Sequence, residues 1–219
     1  MRDSHTNRDQ PHQSQPLRTG GTPLDEATAA AILVHGRGAT ARSILQLGEE
    51  VHESGLALLA PQAAANTWYP NPFTAPVETN EPGRSSGLAA IDDAVGTALD
   101  ASLSREKILL LGFSQGACLA SEFVVRNPTR YGGLVSLSGG LIGETIDRNE
   151  YEGDLADTPA FLGCSDVDPH IPVQRVRETE AVLEQLNARV ETRIYEGMGH
   201  GVNDDELVVV SEMVGDLLA

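Results

Sequence analysis

Lysine is almost missing from this chain: Lys107 is the only one among fifteen basic residues, which face thirty-two acidic ones, for a formal net charge of −17. A field of one sign that strong repels phosphates, so nucleic acid and anionic membrane surfaces drop out as expected partners. Acid excess with so little lysine matches a surface kept hydrated in concentrated salt and points to a halophilic source. Arginine-biased codon use in a GC-rich genome gives the same composition. Cysteine is also scarce. Cys118 and Cys164 both sit in apolar surroundings, where buried free thiols are expected and a disulfide framework is not. Long hydrophobic runs are lacking too. No stretch approaches the roughly 18 apolar residues of a membrane helix, and no apolar signal core follows the charges at the N-terminus. The expectation is a soluble, cytoplasmic protein without stable membrane insertion. Metal-binding spacings are missing as well: there is no His-Glu-x-x-His and no Cys-x-x-Cys, and the six histidines are scattered, so no metal site is expected.

What is present suits one α/β domain. A chain of 219 residues, 40% of them hydrophobic, is long enough to bury roughly 70% of its unfolded surface. Residues 1–21 are polar, rich in Gln, His, Ser, Asn and Pro, and read as a disordered or loosely docked tail ahead of a single domain over residues 22–219. From Ala29 onward, short apolar runs alternate with amphipathic stretches. Strands are predicted at Ala30–Val34, Leu56–Leu59, Ile108–Leu111, Leu134–Leu137, Ala160–Cys164 and Val190–Tyr195. Helices are predicted over Ala41–Ser54, Ser85–Ser102, Ala117–Arg126, Val173–Asn187 and Asp204–Leu218. Residues 61–84 form a long loop that carries Trp68, Tyr69 and Phe73. Strands separated by helices imply a mostly parallel sheet covered on both faces, with any active site at the carboxyl ends of the strands.

The most informative segment is Gly112-Phe113-Ser114-Gln115-Gly116. It is a G-x-S-x-G placed directly after a predicted strand and before a predicted helix. That setting makes a sharp turn in which a strained serine is pushed out of the backbone, a nucleophile elbow. A serine hydroxyl needs a base to accept its proton, and the base needs an acid that fixes its tautomer. Two histidines follow Ser114. His200 stands in the glycine-rich Gly197-Met198-Gly199-His200-Gly201, between the last strand and the last helix, and is the candidate base. His170 is expected to line the pocket or face solvent. Two aspartates follow the strand that ends at Cys164. Asp168, pinned by Pro169, is the favoured acid and Asp166 the alternative; either could also cap the next helix. Charge developing on a carbonyl oxygen needs preorganised donors. The amide of Gln115 follows the nucleophile, and His35-Gly36-Arg37-Gly38 after the first predicted strand supplies the amide of Arg37. Trp68, Tyr69 and Phe73 are candidate walls of an acyl pocket, with core packing as the plain alternative.

Taken together, Val34-His35-Gly36-Arg37-Gly38, Asn66-Thr67-Trp68-Tyr69-Pro70, Gly112-Phe113-Ser114-Gln115-Gly116-Ala117, Asp168-Pro169-His170-Ile171-Pro172 and Gly199-His200 resemble the phospholipase/carboxylesterase family. These are α/β-hydrolases that include acyl-protein thioesterases and small microbial carboxylesterases. The resemblance covers residues 29 to 218. It implies Ser114, Asp168 and His200 as catalytic residues, the amides of Arg37 and Gln115 as oxyanion hole, and hydrolysis of a small-molecule ester or thioester without a cofactor. Short to medium acyl groups, and lysophospholipids among the esters, are compatible with it. Two departures stand out. The loop Gly163-Cys164-Ser165-Asp166-Val167-Asp168-Pro169 is longer than the usual G-x-x-D-P, and Arg37 replaces a residue that is often apolar. A cation there would attract an acidic or polar substrate, or pair with a surface carboxylate. A dienelactone-hydrolase-like enzyme would carry cysteine at the elbow. A non-catalytic scaffold for ligand or protein binding would not need Ser114, Asp168 and His200 in order. The sequence is silent on oligomeric state; a homodimer through a sheet edge or the pocket rim suits such enzymes.

Overall fold

The computed structural model describes residues 10–219; the part of the predicted tail before residue 10 lies outside the described residues. Among the described residues one sheet collects seven strands: β1 (Arg18–Gly21), β2 (Ala29–Val34), β3 (Leu56–Ala60), β4 (Ile108–Phe113), β5 (Gly133–Leu137), β6 (Pro159–Ser165) and β7 (Arg189–Tyr195), in the order β1-β3-β2-β4-β5-β6-β7. Only β1 runs antiparallel, against β3; every other pairing is parallel. This is the mostly parallel sheet that the alternating pattern predicts, in the α/β-hydrolase arrangement that the resemblance implies. The helices are α1 (Ala41–Glu50), α2 (Gly83–Asp100), α3 (Gln115–Arg126), α4 (Val173–Gln185) and α5 (Asp204–Leu218).

Burial on both faces explains the strand composition. Every residue of β2, Ala-Ala-Ala-Ile-Leu-Val, is buried, as parallel strands between two helical layers must be. On one face α2, α3 and α4 set Ile91, Leu119 and Val182 against Ile32, Leu110 and Leu162. On the other, α1 and α5 set Ile44, Val210 and Val214 against Leu33, Leu58 and Leu111.

Element boundaries depart from the sequence reading where local chemistry intervenes. α1 stops at Glu50 rather than Ser54, because the chain must turn through Gly55, at φ +99°, to enter β3. α2 starts at Gly83 rather than Ser85. Pro82 precedes it, and a side chain at 83 would strike the Trp68 carbonyl at 2.4 Å, so the start of this helix fits only glycine.

The larger correction concerns the tail. Residues Arg18–Gly21 form a strand in register with Ala57–Ala60. His12 is buried, 3% exposed. Its Nε2 donates to the Trp68 carbonyl at 2.9 Å and its Nδ1 accepts from the Ala64 amide at 3.0 Å. The His12 amide donates to Ser86 Oγ, which donates in turn to Gln13 Oε1. Residues 10–21 are thus docked on the domain, with β1 as an edge strand of its sheet. Hydropathy reads this arm as loose because backbone pairing and polar contacts dock it, with little apolar area involved.

Candidate active site

Four loops leave the carboxyl ends of β2, β4, β6 and β7 at one edge of the sheet, and each carries one part of the site. Ser114 follows β4 directly. Its backbone stands at φ 56°, ψ −120°, a region that a residue with a side chain occupies only under constraint. The flanking glycines are the constraint. A Cβ on Gly112 would lie 2.3 Å from the Gly116 carbonyl, and one on Gly116 would lie 2.0 Å from the Val34 carbonyl. β2, β4 and the start of α3 thus approach too closely for any larger residue. The Ser114 amide donates to the Leu137 carbonyl of β5 at 2.9 Å, which locks the turn to the sheet.

His200 arrives from the loop between β7 and α5. Its Nε2 lies 2.9 Å from Ser114 Oγ and its Nδ1 lies 2.7 Å from Asp168 Oδ2. An ionised carboxylate only accepts, so the proton sits on Nδ1 and donates to Asp168, leaving Nε2 to accept the serine hydroxyl proton. The Asp168 side chain is sealed from solvent while His200 keeps one fifth of its own exposed. Burial alone would raise the Asp168 carboxyl. The hydrogen bond from His200 and those from the His170 and Ile171 amides to Oδ1, at 2.8 and 3.0 Å, outweigh that effect and hold it below its ordinary range. Asp168 is therefore a fixed anion beside the imidazole.

Asp166 is placed differently. Its Oδ1 accepts the Gly197 amide at 2.7 Å, and the Ser165 hydroxyl accepts the Gly199 amide at 3.0 Å. Both brace the loop that carries His200. α5 holds the far side of that loop through the Asn203 and Glu206 capping box. His170 turns its ring edge-on to that of His200, with centroids 5.0 Å apart.

The Gly36 loop lies against Ser114: a Cβ on Gly36 would stand 3.3 Å from the Ser114 Cβ. Gln115 opens α3, so its amide has no intrahelical acceptor. No hydrogen bond leaves the Arg37 amide among the described residues. Two unspent donors thus flank Ser114. The Arg37 side chain meets neither a surface carboxylate nor open solvent as its main partner. It donates to the carbonyls of Tyr69, Pro70 and Asn71 at 3.0, 2.8 and 2.8 Å.

A cleft of about 480 Å³ opens onto Ser114 and His200, with Tyr69, Phe73, Cys118 and Ile171 among its lining residues. Its surface is mainly apolar, suited to a hydrocarbon group held beside a few polar atoms. Tyr69, Phe73 and His170 line it; Trp68 does not. The indole is fully buried behind the wall, where its Nε1 donates to the His35 carbonyl at 2.8 Å.

A profile of the phospholipase/carboxylesterase family matches residues 21–217, which takes in every loop of this site. The chain belongs to the phospholipase/carboxylesterase family. A solved phospholipase/carboxylesterase from Dyadobacter fermentans is 39% identical and superposes with a TM-score of 0.88, covering 92% of this chain and 96% of that one. Acyl-protein thioesterase 1 of Saccharomyces cerevisiae is 32% identical over 127 residues, 57% of this chain and 56% of that protein. The Kluyveromyces lactis protein of the same name is 34% identical, with 57% and 56% covered. The chain thus spans about half the length of the curated relatives it matches. Arabidopsis thaliana SOBER1, 19% identical with a TM-score of 0.70 over 87% of this chain and 99% of that one, shares the fold.

In this family member the sequence motifs leave three contributors unnamed. They are the Arg37 side chain, the Gln115 side chain, and His12 behind Trp68. Each acts through backbone carbonyls and amides distant in sequence, which no residue spacing reports. Gln115 alone had a signal, since the position after Ser114 is fixed in space whatever its side chain does.

Proposed function

We propose that this protein is a serine hydrolase of carboxylic esters and thioesters with short to medium acyl groups. The supporting observation is the bonding of His200, with Ser114 Oγ at 2.9 Å on one ring nitrogen and Asp168 at 2.7 Å on the other. In this reading Ser114 attacks the carbonyl carbon while His200 takes its proton. The amides of Arg37 and Gln115 receive the charge on the carbonyl oxygen, and collapse expels the alcohol or thiol with a proton from His200. Water then repeats the sequence on the acyl-enzyme and frees the acid. Asp168 keeps Nδ1 protonated and stabilises the imidazolium. Family membership and the names of the relatives, thioesterase and carboxylesterase, agree with this chemistry. The cleft volume and the lack of a long hydrophobic insertion favour shorter acyl chains.

The test is hydrolysis of p-nitrophenyl butyrate by wild type and Ser114→Ala, with fluorophosphonate labelling of both. Turnover is expected to fall by several orders of magnitude in the variant, with labelling confined to the wild type. Equal turnover would end the reading of Ser114 as nucleophile, and an unlabelled wild type would favour a non-catalytic binding scaffold. A panel varying acyl length and oxyester against thioester then ranks the substrates.

A further inference from the structure

The two residues whose amides serve the oxyanion in the reading above also share a task for their side chains. Gln115 Oε1 accepts the Trp68 amide at 2.9 Å and Nε2 donates to the Tyr69 carbonyl at 2.8 Å. Arg37 Nη2 donates to the carbonyls of Tyr69 and Asn71, and Nη1 to that of Pro70. The Tyr69 carbonyl therefore takes one bond from each. The turn they grip is also the wall of the cleft, where Tyr69, Pro70, Pro72 and Phe73 stand beside Ser114 and His200. Behind it, the Trp68 indole ties the same turn to the His35 carbonyl, at the start of the loop that carries the Arg37 amide.

Oxyanion donors must sit within a few tenths of an ångström of where the charge will appear, because a misplacement near 1 Å costs about a hundredfold. The Arg37 amide lies in a segment flanked by Gly36 and Gly38, the latter at φ +76°, and such backbone is soft by itself. The Gly38 amide donates to the Asn66 carbonyl at 2.7 Å, and a guanidinium fork spread over three successive carbonyls adds stiffness, with charge-assisted bonds in a planar geometry that an ammonium cannot reproduce. Gln115 does the same from the helix side.

We infer that the side chains of Arg37 and Gln115 are positioning residues, coupling the oxyanion hole through the Tyr69 carbonyl to the wall that the acyl group contacts. The inference rests on the assignment of the two amides proposed above. Its consequence is that filling the wall acts on kcat more than on KM, because contact with Tyr69 and Phe73 is transmitted to the donors and not only to ground-state binding.

The experiment compares wild type with Arg37→Met, Arg37→Lys, Gln115→Met and the Met double variant. Thermal midpoints are recorded alongside kcat and KM on p-nitrophenyl butyrate. Inhibition by an alkyl trifluoromethyl ketone, which forms the oxyanion adduct, is set against inhibition by butanoate, which does not. Arg37 is solvent-exposed, so its variants should fold. Arg37→Met is expected to lower kcat about tenfold or more with KM within about twofold, and to weaken the ketone by a similar factor while sparing butanoate. Arg37→Lys should fall between, and the double variant should lose less than the product of the single losses because both grip one turn. Unchanged kcat with raised KM, or equal weakening of ketone and butanoate, overturns the coupling while leaving the hydrolase reading intact. A wild type that fluorophosphonate fails to label removes both.

Discussion

Asp166 and Asp168 stand two positions apart in one loop, yet they hold opposite ends of the segment that presents His200. Asp168 accepts from the imidazole Nδ1 at 2.7 Å, and Asp166 accepts from the Gly197 amide at 2.7 Å. One carboxylate faces the ring and the other faces the backbone that aims the ring.

Their substitutions should therefore separate chemistry from stability. Asp168→Asn is expected to lower kcat by on the order of 10³ to 10⁴, since an amide in place of the carboxylate no longer fixes the imidazole tautomer. Asp166→Ala removes a charge-assisted bond to a partly exposed loop; it should lower the thermal midpoint by a few degrees and leave much of the turnover. Steady-state kinetics and thermal denaturation of the two variants check this. The reverse pattern would make Asp166 the orienting acid.

His12 carries the second prediction. Its two ring nitrogens are engaged as one donor and one acceptor, an arrangement available only to the neutral ring. Burial lowers its proton affinity, against the opposing effect of its hydrogen bonds to the backbone of Trp68 and Gly83, and His35 on the other side of the indole is lowered by burial as well. For a histidine whose folded value is depressed, the stabilising contribution is complete above the ordinary value of 6.5 and is lost as pH falls below it. His12→Ala should thus destabilise by about 2 to 3 kcal/mol at pH 8 and by less at pH 5.5, read from denaturant unfolding at each pH. A penalty that is the same at both values would mean the ring is not held neutral.

How much of this was legible in the sequence follows from what each feature is made of. Ser114, Asp168 and His200 could be named because they occupy loops whose order the strand pattern dictates, and those loops share one edge once the sheet is parallel. Burial of Trp68 away from the cleft was not legible, because an indole in a loop can point either way, and Gly87, His12 and His35, distant in sequence, are what pack against it. The arm from residue 10 to β1 was missed for a related reason. Its ladder with β3 and its polar contacts with Trp68, Ala64 and Ser86 leave no periodic apolar signature. The gripping of the Trp68–Asn71 turn by Arg37 and Gln115 uses backbone carbonyls, which every sequence possesses.

Glu206 supplies the third prediction. It is fully buried against Gly163 of β6, with Oε2 accepting the Asn203 amide and Oε1 lacking a partner among the described residues. Burial pushes its carboxyl up to about 7. Below its ordinary value of 4.5 the group is protonated in both folded and unfolded chains and costs nothing. As pH rises through that window, the unfolded chain releases its proton first and stability falls. Glu206→Gln, which keeps the acceptor for Asn203, should therefore gain on wild type between these values, by roughly 2 to 3 kcal/mol at pH 8. Unfolding curves from pH 4 to 8 measure it. A difference independent of pH would show that the carboxyl ionises freely in place.

The two thiols bear on how such a protein can be probed. Cys118 lines the cleft and Cys164 lies in the strand that leads to Asp168, yet both are free and buried, and burial pushes each up to about 12. Alkylators that require a thiolate find almost none at neutral pH. A covalent reagent that silences this protein can thus be read as reporting on groups other than its thiols, without replacing either cysteine beforehand.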